Sequence, residues 1–144
     1  MNSVFSKIVK GELPAYKVAE DADHLAFLDI LPLKKGHTLA ITKKQVDKLF
    51  DFSEGAFVQL MRFVHRTAKS IEQVVPCQRI GLVVMGFEVP HAHVHLVPID
   101  RENDLNFSNP RVRFSKEAFS VLAGQIGEAF KKASNIDFED QGER

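Results

Sequence analysis

The sequence predicts an α+β domain built on an antiparallel sheet. Three observations carry that expectation. Short β-rich runs are joined by turn residues at hairpin spacing. Two long amphipathic segments interrupt these runs instead of alternating with them, which argues against a parallel sheet. The stretch PHAHVHLVPID, from Pro90 to Asp100, alternates histidine with apolar residues, the side-chain period of a strand.

The elements follow in order. Phe5, Ile8 and Val9 fall at i, i+3 and i+4 ahead of Gly11, which predicts a short helix over residues 3–10. Pro14 opens an extended stretch at 16–20, and Asp21 and Asp23 mark a turn. HLAFLDI (24–30) reads as a strand, and LPLKKGH is a turn carrying Pro32 and Gly36. GHTLAITK (36–43) reads as the returning strand of an antiparallel hairpin. Ser53 is an N-cap, with Glu54 favoured in the first turn by the helix dipole. Phe57, Leu60, Met61, Val64, Ala68, Ile71 and Val75 then keep helical spacing until Pro76 stops the helix. QRIGLVVM (78–85) is a further strand leading into the histidine segment. The last helix runs from Ser115 to about Lys132 on Phe119, Leu122, Ile126 and Phe130. Gly124 and Gly127 each weaken it by about 1 kcal/mol. The polar, acidic tail at 133–144 is expected to be less ordered. A chain of 144 residues suits one domain, 1–144, with its core over about 4–132.

Charge and composition exclude several classes. Lys plus Arg equals Asp plus Glu, at 19 each, so no global field draws the chain to a nucleic-acid polymer or an anionic membrane. The one cysteine, Cys77, rules out an internal disulfide and a Cys-rich zinc module. Beside Pro76 it is expected to be a small buried hydrophobe and not a nucleophile. The N-terminal stretch lacks the apolar core of a signal peptide. No apolar run approaches the roughly 18 residues of a membrane span. The expectation is a cytoplasmic protein.

His91, His93 and His95 share one face of a strand by parity, with Ala92, Val94 and Leu96 on the other. Three readings fit that spacing. The histidines could be polar residues on a half-buried strand. They could be a metal site, since neutral imidazoles bind zinc, copper, iron or nickel. Or they could carry nucleophilic and acid–base chemistry, because an imidazole of pKa near 6.5 is about three quarters neutral at pH 7.

The pattern His-φ-His-φ-His-φ-φ, with φ apolar, resembles the signature of the histidine triad (HIT) nucleotide-binding proteins. FSKIVKGELPAYKVAEDADHLAFLDI and GHTLAITKKQVDKLFD resemble that family's preceding blocks, so with the triad the likeness covers residues 4 to about 99, most of the chain. It is nearest to the Hint-like branch, whose members hydrolyse nucleoside phosphoramidates. The resemblance implies a five-stranded antiparallel sheet with two main helices, and a homodimer whose sheets join into ten strands. It implies that His93 attacks phosphorus and forms a nucleotidyl-histidine, with His91 and His95 orienting it and contacting phosphate. His37 aligns with a fourth family histidine, whereas His24 and His65 match nothing catalytic and are expected to be structural. Phe5, Ile8, Phe27, Asp29, Ile30 and Leu39 align with a nucleoside pocket. Apolar walls there would stack on a base, and an ionised Asp29 would accept hydrogen bonds from the ribose hydroxyls. A purine nucleotide or nucleotide conjugate is the implied ligand, with no metal or other cofactor.

Two departures from the family stand out. Ser3 and Ser6 occupy positions where many relatives carry zinc-binding cysteines, and serine is a poor zinc ligand. Phe87 and Glu88 occupy positions where Gln and Ser or Thr usually hold phosphate. Glu88 is expected to face the departing group. Beside hydrolysis, a nucleotide-binding module with little turnover and a histidine metal site therefore stay open.

Overall fold

The central strands are buried on both faces, so each must be covered twice. In the computed structural model, which describes residues 2–140 and side chains through 133, this is done by helices on one face and by a short helix with a cleft on the other. The elements are α1 (Val4–Val9), β1 (Lys17–Glu20), β2 (His24–Leu28), β3 (Thr38–Thr42), α2 (Glu54–Val74), β4 (Arg79–Val83), β5 (His93–Ile99) and α3 (Lys116–Asp140). Single 3-10 turns at Leu49–Asp51 and Glu102–Leu105 had no counterpart in the sequence reading. The five strands form one antiparallel sheet in the order β1-β2-β3-β5-β4.

On the helical side, Ala26, Leu28, Ala40, Val94 and Leu96 meet Leu60, Phe63, Ile71, Phe119, Leu122, Ile126 and Phe130 of α2 and α3. Burial of each large apolar side chain is worth about 1.5–3 kcal/mol. The Ser53 cap holds as expected, accepting the Ala56 N–H at 3.2 Å. The buried face of α2 differs in part. Phe63, Thr67 and Ser70 are buried, whereas Phe57, Met61 and Ala68 are only half-buried, because α2 must face α3 as well as the sheet. Thr67 and Ser70 can be buried there because their hydroxyls donate to the carbonyls of Phe63 and Arg66, four residues back, each at 2.8 Å. α3 runs eight residues past the predicted end near Lys132, to Asp140. The rest of the predicted tail, 141–144, lies outside the described residues. Cys77 is half-buried and not buried as expected. Burial and the nearby carboxylates of Glu72 and Asp100 push its thiol up, which leaves it a poor nucleophile. No helix of the described residues is long and apolar enough to cross a membrane.

The turn between β2 and β3 fixes His37. β2 ends at Leu28, two residues before the predicted end. Asp29 donates its N–H to the His37 carbonyl at 2.9 Å, and its carboxylate caps the Leu31 N–H at 2.9 Å. Gly36 closes the turn at φ +90, where a Cβ would lie 2.9 Å from Val75 Cγ2. Replacing Gly36 with Ala adds both backbone strain and a clash. It is expected to lower stability by about 1–3 kcal/mol, measured by urea unfolding, and unchanged stability would contradict this account of the turn.

Candidate active site

Register decides which side chains share the second face. Leu39 pairs with His95 and Ile41 with His93, while Phe27 pairs with Leu39 and Leu25 with Ile41. Directly opposed residues of an antiparallel pair point to the same side. α1 covers this face with Phe5 and Ile8, which pack on Leu25, Phe27, Leu39 and Ile41. Its first turn is capped by Ser3, whose Oγ accepts the Ser6 N–H at 2.9 Å. Beside α1 opens a cleft of about 610 Å³. Phe5, Ile8, Phe27, Asp29, Ile30 and Leu39 all line it, as do His93, His95, Phe87 and Glu88. The Phe5 ring stands edge-on to His93 with centroids 4.9 Å apart.

The structure separates His91 and His37 from the cleft wall. β5 begins only at His93, so the three histidines are not one continuous strand face. His91 is fully buried and both its ring nitrogens are taken by the protein. Its Nε2–H donates to the Thr42 carbonyl at 2.8 Å, so Nδ1 is left to accept the Ser3 hydroxyl at 2.8 Å. This departs from the expectation that His91 contacts phosphate. What His91 does offer the site is its own carbonyl, 2.8 Å from His93 Nδ1. A carbonyl can only accept, so Nδ1 of His93 carries the proton and Nε2 of the neutral ring keeps its lone pair.

A second chain of hydrogen bonds fixes His95. The Leu33 N–H donates to His37 Nδ1 at 3.0 Å, which puts the proton of the neutral His37 ring on Nε2. Nε2–H donates in turn to His95 Nδ1 at 3.0 Å, and the proton of His95 is thereby on its Nε2. Burial pushes His37 down to about 3 and His95 to about 4, with the neighbouring His95 and His93 rings respectively, then Arg111, adding to the effect. Both rings are therefore neutral donors at pH 7. Burial raises the Asp29 carboxyl, against the Leu31 N–H and the Arg111 charge, which lower it.

Two places invite a metal. Asp29, His37 and His95 each bring one ligand atom within 4.8 Å of the others. The hydrogen bonds just described oppose coordination there, since His37 Nε2 bears a proton while Leu33 holds Nδ1. The other place is the serine pair. Ser6 donates its hydroxyl to Gln45 Oε1 at 2.9 Å, which also accepts the Ser3 N–H at 2.9 Å. Gln45 Nε2–H donates to the Pro90 carbonyl at 3.0 Å. Two neutral hydroxyls, an amide and one imidazole, already satisfied by each other, do not fit zinc. They form a knot of hydrogen bonds that ties the N-terminus of α1 to the backbone just before β5.

Sequence reading missed Gln45, Phe107 and Arg111. Phe107 and Arg111 line the cleft, although they follow β5 in a stretch without regular structure. The signal available was the compact run NFSNPR, an aromatic and a cation held by turn residues. The loop before the triad is also irregular, turned by Gly86 at φ +78. Strand parity therefore does not turn Glu88 away, and Glu88 reaches the cleft rim beside Phe87, which is 95 % exposed. His24 is structural, as expected. Its ring stacks on Phe63 and its Nδ1 lies 2.9 Å from Asp21. His65 is exposed.

With fold and cleft in view, the HIT domain matches residues 10–102, and the protein belongs to the histidine triad (HIT) family. It is similar to the adenosine 5'-monophosphoramidase hnt1 of Schizosaccharomyces pombe, 35 % identical over 134 residues, covering 91 % of this chain and all of that one. A Hit-like protein of Bartonella henselae superposes with a TM-score of 0.76 at 27 % identity, over 89 % of this chain and 96 % of that one. A zinc-bound histidine triad protein of Mycobacterium smegmatis gives a TM-score of 0.75 at 25 % identity, over 94 % and 98 %.

The buried neutral histidines set a pH dependence. Their folded values lie below the unfolded 6.5, so the unfolded chain takes up protons first on acidification. The stability they contribute is complete above pH 6.5 and is lost as pH falls toward 4. Each ring adds a slope of at most about 1.4 kcal/mol per pH unit. Urea unfolding between pH 7 and 4.5 should show falling stability, with a shallower fall in His37→Gln. Equal slopes in the two proteins would contradict a neutral His37.

Proposed function

We propose that the protein binds a purine nucleotide conjugate and hydrolyses a nucleoside phosphoramidate through His93. The observation that carries this reading is the fixed tautomer of His93, whose Nδ1 is held by the His91 carbonyl while the residue lines the cleft. The similar S. pombe protein is named for this activity, which agrees. Nε2 of His93 attacks the α-phosphorus and the bond from phosphorus to the substrate nitrogen breaks. The departing nitrogen takes one proton from solvent at the mouth, where Glu88 stands to relay it. Attack leaves positive charge on the His93 ring, and the Nδ1–H bond to the carbonyl strengthens as that charge grows. His95 Nε2–H donates to a phosphoryl oxygen. Water then attacks phosphorus, the bond from phosphorus to His93 Nε2 breaks, the nucleoside monophosphate leaves, and the proton lost by the water goes to solvent in place of the one the departing nitrogen took. No step calls for a metal.

The base lies between Phe5, Ile8, Phe27 and Leu39, with the ribose hydroxyls on Asp29 and Ile30 beside them at the rim. His37 acts through His95 and does not touch substrate. The whole chain works as one domain, in the cytoplasm, and pairs with a second copy so that the two sheets continue into ten strands. The edge position of β4 and the exposure of Leu82 at 48 % support that pairing. Replacing His93 with Asn keeps a polar group of limited size and removes the nucleophile. Turnover of adenosine 5'-phosphoramidate should vanish while nucleotide affinity stays within about tenfold, some 1.4 kcal/mol. Undiminished turnover in purified His93→Asn would exclude the covalent route, and a parent that binds nucleotide without turnover would leave a binding module.

A further inference from the structure

The charges of the cleft do not match an anionic ligand unless one residue is counted. Among the described residues that line it, Asp29 and Glu88 are carboxylates, and Arg111 is the one Lys or Arg. His95 contributes no cation at neutral pH, because its ring is held neutral. The loop that the resemblance would have supplied with phosphate-holding Gln and Ser or Thr carries Phe87 and Glu88 instead. A phosphate entering this cleft would meet two carboxylates, the neutral His95 ring and one guanidinium.

That guanidinium is held in place. Its Nη1 donates to the Leu31 carbonyl at 2.8 Å and its Nη2 points at the Phe107 carbonyl at 3.4 Å. Its carbon lies 5.5 Å from the centroid of the Phe107 ring. The same ring stands edge-on to His95 at 4.9 Å, so Phe107 is wedged between the arginine and the triad. The next residue ties the backbone down, with the Val112 N–H on the Pro32 carbonyl at 2.9 Å. An arginine has five N–H donors, and the bonds to Leu31 and Phe107 use two. The remaining donors and the charge are available to a ligand, in the planar fork that suits phosphate oxygens. No ion pair joins Arg111 to a carboxylate of the described residues, so its charge is not already cancelled by direct contact.

We propose that Arg111 is the phosphate-binding cation of the cleft, taking over from outside the triad loop the charge recognition that the loop itself does not provide. The proposal rests on the nucleotide reading above. It assigns Arg111 to the phosphate and leaves the base and ribose contacts to Phe27, Leu39 and Asp29. The charge that discriminates between a nucleoside and its monophosphate then comes from this one side chain, beside the neutral donor of His95.

Calorimetric titration of the full chain with adenosine and with AMP tests this without depending on turnover. The parent should bind AMP at least tenfold more tightly than adenosine. Arg111→Gln should lose at least tenfold in AMP affinity and less than threefold in adenosine affinity. Arg111→Lys, which keeps the charge but not the fork, should recover part of the AMP preference. Raising the salt concentration should erode that preference in the parent and not in Arg111→Gln, which keeps a result in hand even if a variant melts early. An unchanged ratio of AMP to adenosine affinity in Arg111→Gln, with both weakened alike, would show a purely structural arginine and overturn the proposal. A parent that binds adenosine and AMP equally overturns it as well. A parent that binds neither overturns the nucleotide reading itself, and this proposal with it.

Discussion

The hydrogen bond from His93 Nδ1 to the carbonyl of His91, at 2.8 Å, is the contact on which the rest of the site depends. Exchange of the His93 proton between its two nitrogens would leave the cleft shape unchanged and would remove the lone pair from Nε2. The carbonyl prevents this because it has no proton to give. It can do so only because residues 90–92 are not yet strand. Their backbone is held from the side, by Gln45 on Pro90 and by Val46, whose carbonyl accepts the Ala92 N–H at 2.7 Å. The buried ring of His91 anchors the same segment through Ser3 and Thr42.

The sheet makes such anchoring affordable. Its helical face carries the large apolar cluster, and α1 seals the other with Phe5 and Ile8. The polar groups on that second face are buried, and each finds a partner. His37, His91, His93 and His95 are all buried, and their hydrogen bonds run to backbone carbonyls, to a backbone N–H, to a serine or to each other. A buried polar group left unpaired costs roughly 1–3 kcal/mol, so the ring nitrogens that point into the protein are paired, and the Nε2 atoms of His93 and His95 are left to the cleft. Neutrality also sets the division of labour in the proposed reaction. His95 donates, His93 attacks, and permanent positive charge must come from elsewhere, which is where Arg111 enters.

Much of the fold was legible because it is local. The β2–β3 hairpin, the Ser53 cap and the apolar rows of α2 and α3 are set by spacing within a few residues. The six positions that the resemblance aligns with a nucleoside pocket all line one cleft. What escaped was set by contacts distant in sequence. His91 leaves the strand pattern because Ser3, 88 residues away, holds its ring. Arg111 reaches the cleft because Leu31, 80 residues away, accepts its Nη1. Strand parity predicted the side on which His93 and His95 lie. It could not show that a carbonyl, and not a side chain, would orient the His93 ring.

Nitrogen-15 spectra of the histidine rings in the intact protein at pH 7 test the central claim most directly, since they report which ring nitrogen carries the proton. The account predicts that the neutral form of His93 is protonated at Nδ1 and bare at Nε2, with His37 and His95 both protonated at Nε2. A neutral His93 with its proton on Nε2 would contradict it, because the nitrogen that attacks phosphorus in the proposed reaction would then have no lone pair to give.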